Sequence, residues 1–463
     1  MADPGPAGDG LAARLAEFAC ALRREDIAQP ATDHTATLIL DAVGCALAGW
    51  RGEETPQVLG AARRLGGDGD ATVIGDAAPA SLLGAVLANA YLTTAVTACD
   101  VYTPAHCHLT PEVVPAALAV AEREHASGPA LLTAVAAGLE TASRLLRAID
   151  YAEFRRRGWH SPGVIGPVGA AVAAGLLLGL GPGQLAAAMS LAVSQAAGTF
   201  AAWPTTAVKF HQARGAAAGL LSACLAADGF TAGAEPFEAP DGGLFSSYSP
   251  GDPAAALAGI GGEWELTQIS VRLWPGATPV QALLTALLGS GRRLPAAASM
   301  AAAEILVPAA TYQAHRDLAH PAGCFEALLS FHYVTAVTLL HGRFDIDLTG
   351  PMHIASPAVA SFIDERVTFT PDPALPRGAA RVRLTCRDGE VVNIRSEHAL
   401  GTPQRPATLA QISEKFTRNA AARLPAGVTA DLLAGVGDLD RLADCAELLA
   451  MLRPTGVQGR PRN

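Results

Sequence analysis

Hydrophobic positions recur at three- and four-residue spacing through most of the first half of the chain, with glycine or proline at the breaks. Helices are predicted over Leu11–Arg23, Thr35–Ala48, Pro79–Ala98, Pro115–Glu124 and Ala130–Leu146. Two strongly apolar stretches follow, Val164–Leu180 and Leu185–Trp203, divided by Gly181-Pro182-Gly183, which stops one helix and lets the next start at Gln184. Each is interrupted by glycine, proline or polar residues such as Ser194 and Gln195 and lacks flanking charge girdles. Both therefore read as buried helices of a large core and not as membrane spans.

The pattern changes between Phe237 and Gly262, and a boundary falls near Glu263. Beyond it, short runs at Ala303–Val307, Arg366–Thr370, Ala380–Cys386 and Glu390–Arg395 predict strands, the last two forming a hairpin around Asp388-Gly389. A long apolar helix, Phe325–Leu340, lies among them, and helices return at Leu409–Ala422 and Leu442–Leu452. The expected fold class is mainly α: a large all-helical domain formed by both chain ends, 11–262 and 403–463, with an inserted smaller α+β domain at 263–402. Residues 1–10 read as a flexible tail, without the basic and apolar regions of a signal peptide.

Composition narrows the function. Of 463 residues, 50% are apolar and 16% charged, which fits a folded protein of two or three domains. A net charge of −10 leaves no basic footprint, so no nucleic-acid partner is expected, and an anionic ligand must find a local cationic pocket. Among the 33 basic residues only Lys209 and Lys415 are lysine. The eight cysteines form no CxxC pair, which fits a reduced, cytoplasmic protein.

Three segments carry candidate chemistry. The first, Cys99 to His108, holds Asp100, Tyr102, Thr103, His106 and His108 between two helices. Metal binding through His106-x-His108 lacks a convincing third ligand, so general acid/base work or anion binding is favoured over a metal and over a plain connecting loop. The second is Arg155-Arg156-Arg157-Gly158-Trp159-His160, ahead of a glycine- and alanine-rich helix. A histidine there shares space with helix N-terminal N–H groups that favour a carboxylate, although a capping role remains open, and the arginines read as a solvated face. In the third, Thr205 to Gln212, Lys209 lies between Val208 and Phe210, whereas Lys415, following Glu414, reads as a solvated helix residue. Gly179-x-Gly181 follows no strand, so it is not read as a phosphate loop.

Together these segments resemble a known family. The run Asp41-Ala42-Val43-Gly44-Cys45-Ala46-Leu47-Ala48-Gly49 resembles a signature of the MmgE/PrpD family, the group of 2-methylcitrate dehydratase, cis-aconitate decarboxylase and iminodisuccinate epimerase. Further matches follow in order: Asp100, Thr103 and His108 ahead of Val114-Pro115-Ala116-Ala117-Leu118; Gly158-Trp159-His160 ahead of Gly166-Pro167-Val168-Gly169; Ser194-Gln195-Ala196-Ala197-Gly198 with Lys209; and Ser330-x-x-Tyr333. The resemblance implies a helical domain with a lid-like insertion, a homodimer, and cofactor-free chemistry on a small di- or tricarboxylate. It implies His108, His160 and Lys209 as catalytic residues, the histidines as acid/base groups and Lys209 as anion holder or proton donor. Asp100, Thr103, Tyr102 and Ser330 become the substrate-binding candidates.

A lyase of dehydratase or decarboxylase type is expected. An isomerase or epimerase, a specialised biosynthetic tailoring enzyme and a non-catalytic binding protein remain open. Two departures bear on the substrate: Asp100 is the one acidic residue of its loop, and Trp274-Pro275-Gly276-Ala277-Thr278-Pro279-Val280-Gln281 lacks a histidine usual in the family.

Overall fold

The computed structural model describes residues 9–289, 291 and 293–454, so the expected tail at 1–10 lies, but for Asp9 and Gly10, outside the described residues. The fold is mostly helical with a small mixed sheet. The chain divides into two compact units, one comprising residues up to Ala95, Cys99–Ile269 and those from Ser413, the other Val96–Ala98 and Ser270–Ile412.

The first unit holds α1 (Leu11–Ala21), α2 (Gln29–Gly49), α3 (Thr55–Gly66), α4 (Leu82–Ala95), α5 (Thr110–Arg123), α6 (Gly128–Ala148), α7 (Tyr151–Arg156), α8 (Ser161–Leu177), α9 (Pro182–Ser194) and α10 (Ala207–Ala227), then the short α11 (Leu244–Ser247) and α12 (Pro253–Leu257). Small residues let these helices approach closely. A Cβ on Gly138 of α6 would lie 2.6 Å from the carbonyl oxygen of Gly169 on α8, and one on Gly219 of α10 would lie 2.5 Å from Cβ of Ala170. Helix α5 starts five residues before the expected Pro115, because the Asp100 carboxylate accepts the backbone N–H groups of Leu109 (2.9 Å) and Thr110 (3.1 Å) at its first turn. The sequence includes α10 in its helical part without delimiting it, because its apolar positions are mostly alanine and glycine, which draw no stripe of large side chains.

The second unit holds α13 (Val280–Leu287), α14 (Ala309–His315), α15 (Cys324–Ala327), α16 (Phe331–His341), α17 (Pro351–Ile354) and α18 (Pro357–Arg366). Two-residue strands, β1 (Val101–Tyr102) and β2 (Ile269–Ser270), precede its four-stranded sheet of β3 (Met300–Val307), β4 (Val367–Pro371), β5 (Ala380–Cys386) and β6 (Val391–Ser396). The order is β4-β3-β5-β6, with β3 and β4 parallel and the other pairs antiparallel, so that Ile305 faces Phe369 on one side and Val382 on the other. Gly389, at φ +92°, turns the β5–β6 hairpin where Asp388-Gly389 predicts it. The single helix expected over Phe325–Leu340 is two, because the Ser330 hydroxyl accepts the Tyr333 N–H (3.0 Å) and caps a fresh start.

Helix α19 (Leu409–Ala420) leads back to the first unit, which α20 (Ala426–Gly437) and α21 (Cys445–Ala450) complete. Lys415 corrects the expectation of a solvated residue: it is 2% exposed and donates to Oδ1 of buried Asp41 on α2 at 2.5 Å. Ile412 and Phe416, both 2% exposed, share its packed side, and the acid on α2 supplies the counter-charge that lets a lysine enter it. Among the described residues, no helix is long and apolar enough to cross a membrane.

Candidate active site

The loop ahead of α5 is anchored by its acid. Asp100 is fully buried, and besides the two N–H groups it accepts the Thr110 hydroxyl at 2.5 Å. Burial pushes its pKa up, while the charge of His108 and the donors from Thr110 and Leu109 pull it back. His108 is held by the same residue's main chain, Nδ1 lying 2.6 Å from the Asp100 carbonyl oxygen. A carbonyl only accepts, so Nδ1 carries a proton and Nε2 is where a neutral His108 ring takes one up.

His160 stands at the N-cap of α8, its N–H bonded to the Gly198 carbonyl at 2.9 Å. Its Nδ1 lies 3.1 Å from Nδ1 of His211 on α10. Burial drives its pKa well below the ordinary imidazole value, and the charges of His108, His211 and Arg155 add to the shift. Arg155 departs from the solvated face read for it: its guanidinium lies 3.3 Å from the centroid of the Phe200 ring and donates to the Trp159 carbonyl at 2.5 Å. Arg156 and Arg157 are exposed and pair with Glu153. Arg214 donates to the carbonyl oxygens of Gln195 (2.7 Å), Gly163 (2.9 Å) and Ala197 (3.0 Å), fixing the loop that carries Gly198.

Lys209, two residues before His211, is 6% exposed and bonds to the Ala95 carbonyl at the C-terminus of α4, the favourable end of a helix for a cation. Thr103 is exposed in a short turn that ends at His106, whose φ is +42°. Tyr102 is buried and its phenol donates to Glu265 at 2.6 Å, while Glu265 in turn pairs with Arg147 at 3.0 Å. Ser330 is the cap of α16 in the second unit. These bonds give Tyr102 and Ser330 structural duties that the sequence did not foretell. Among the described residues, no group of three or more His, Cys, Asp or Glu is arranged to hold a metal ion.

His211 and Arg214 are the residues that sequence reasoning passed over, although both lie in or beside the segment singled out for Lys209. The MmgE/PrpD N-terminal domain matches residues 13–256 and the MmgE/PrpD C-terminal domain residues 275–434. The chain belongs to the MmgE/PrpD family. It is 27% identical over 481 residues to a cis-aconitate decarboxylase-like protein, oryM, of Aspergillus oryzae, covering 98% of this chain and 99% of that protein. It is 26% identical over 477 residues to the cis-aconitate decarboxylase of Aspergillus terreus, covering 96% of each. It is also 27% identical over 372 residues to the Homo sapiens cis-aconitate decarboxylase, covering 76% of each. Asp100, His108, His160, Lys209, His211 and Arg214 all lie in the stretch matched by the family's N-terminal domain.

Proposed function

We propose that this MmgE/PrpD member is a carboxy-lyase acting on a small unsaturated polycarboxylate of the cis-aconitate type. The observation that carries the reading is the imidazole pair at the N-cap of α8, where Nδ1 of His160 lies 3.1 Å from Nδ1 of His211, with Phe200 beside it at 5.9 Å carrying the Arg155 guanidinium on its ring. The end-to-end likeness to cis-aconitate decarboxylases supports it.

Loss of CO2 breaks a carbon–carbon bond and leaves its electron pair on the substrate. Cationic groups draw that charge toward a retained carboxylate, and an imidazolium returns one proton to carbon. His108 and His160 fill the proton-handling roles, Lys209 holds a carboxylate, and Asp100 and Thr103 set the loop. The residues supply acid, base and anion stabilisation themselves, so the reading is cofactor-free.

The test is CO2 release from cis-aconitate, with proton NMR of the product in deuterated solvent. Wild-type protein should release CO2. His160→Gln and Lys209→Ala, checked for an unchanged circular dichroism spectrum, should lower kcat/KM by about 10²–10³-fold. Deuterium exchange or hydration without CO2 release would replace the decarboxylase reading with an isomerase or hydro-lyase.

A further inference from the structure

Among the described residues, histidine ring nitrogens meet backbone carbonyls, carboxylates or another imidazole. His34, His108 and His315 each place one nitrogen on a backbone carbonyl, at 2.9, 2.6 and 2.9 Å, and because a carbonyl cannot donate, each ring's tautomer is fixed. His160 and His211 place Nδ1 on each other. Such a bond holds one proton, and neither ring fixes which nitrogen owns it.

The backbone is built around this contact. A Cβ on Gly198, whose φ is +131°, would lie 2.9 Å from Nδ1 of His211, and one on Gly163 would lie 3.1 Å from its Cβ. The ring centroids are 5.2 Å apart, and Phe200 lies against His160 on another side at 5.9 Å.

We propose, building on the carboxy-lyase reading, that His211 is a positioning residue whose shared Nδ1 proton decides whether Nε2 of His160 donates or accepts. In the loaded state His211 is an imidazolium and His160 is neutral with its proton on Nε2, the bridge running from His211 to His160. His160 gives the Nε2 proton to the substrate carbon while the bridging proton crosses to Nδ1 of His160. Both rings end neutral, His160 with a bare Nε2 and His211 with its proton on Nε2. One proton and one positive charge have left the pair, matching the electron pair left by CO2. A proton from solvent at Nε2 of His160 and return of the bridging proton restore the loaded state. The titratable and charged groups that act electrostatically on the pair are His108 from the loop before α5, Arg155 from α7 and Arg214 from α10, with Glu112 and Tyr248 acting on Arg214. The cations oppose loading in the free protein, and a bound polycarboxylate favours it.

The experiment is a nitrogen-15 NMR titration of histidine-labelled full-length protein, without substrate, for wild type, His211→Asn and His211→Phe. In wild type the two rings should titrate as a coupled pair, in steps separated by more than about one pH unit. In both variants His160 should titrate as a single group, because asparagine keeps a polar atom near the Nδ1 position but takes up no proton. Independent single-step titration of the two rings in wild type would overturn the proposal, as would an unmoved His160 titration in His211→Asn. A parallel kcat–pH profile on cis-aconitate should show His211→Asn slowed about 10–100-fold with its profile displaced. The NMR reads the free protein, so a coupled pair without CO2 release would sink the lyase reading alone, and CO2 release with uncoupled rings would sink the pair alone.

Discussion

Glu112 lies fully buried in the first turn of α5, and neither of its carboxyl oxygens has a hydrogen-bond partner. Two glycines make room for it: a Cβ on Gly166 would lie 2.6 Å from its Cγ, and one on Gly215 would lie 3.2 Å from the same atom. Desolvation, reinforced by Asp100 and Cys99, drives its pKa well above the ordinary carboxylate value, against a smaller pull from Arg214, so folding favours the neutral acid. A carboxyl whose pKa is raised on folding contributes its full stability below the unfolded pKa, and loses it as pH rises through the folded value. Its cost grows by about 1.4 kcal/mol per pH unit across that window. Glu112→Gln keeps the shape and removes the titration. The variant should match wild type near pH 4.5 and exceed it increasingly toward pH 8 in denaturant unfolding. A stability difference that stays flat with pH would show that Glu112 is ionised in the fold.

Among elements, the packing of α8 depends on the absence of side chains. Gly138 and Gly169 each face the other's carbonyl, so that a Cβ on either would lie within 2.9 Å of it and the backbones would have to shift. Gly169→Ala should therefore destabilise by about 1–3 kcal/mol, measured by urea unfolding, where the same change on an exposed helix would stabilise. Stability equal to or above wild type would mean the helices can separate at no cost. The same chemistry explains what the sequence let one read. Strand β5 and the Asp388-Gly389 turn stand out because alternation and a left-handed glycine are local signals. Helix α10 does not, because its burial comes from neighbours that meet alanine and glycine on several sides. His108, His160 and Lys209 are visible as polar residues in apolar company. The partnership of His160 with His211 is not, since 51 residues separate them and the turn through Gly198 closes the gap. Nothing local to Tyr102 or Ser330 announces that their hydroxyls bond to Glu265 and to the N–H of a helix start.

At the scale of the chain, the last helices are stitched to the first. Arg24 pairs with Asp440, Arg453 reaches Glu122 and Thr72, and the N–H of Cys445 bonds to the Ala126 carbonyl. The most buried of these ties is Lys415 with Asp41, side chains 3% and 0% exposed. Exposed ion pairs contribute little, whereas removing one member of a buried pair strands the other in a medium that cannot solvate it. Lys415→Met should thus cost about 3–5 kcal/mol in denaturant unfolding, while activity per folded molecule stays at the wild-type level. Adding Asp41→Leu should recover most of the loss, because the stranded carboxylate is gone and apolar groups fill the gap. The two lysines of the chain are then separated by their failures, Lys209→Ala in turnover and Lys415→Met in stability. If Lys415→Met unfolds at the wild-type denaturant concentration, Asp41 has another means of compensation and the pair does not hold the chain ends together.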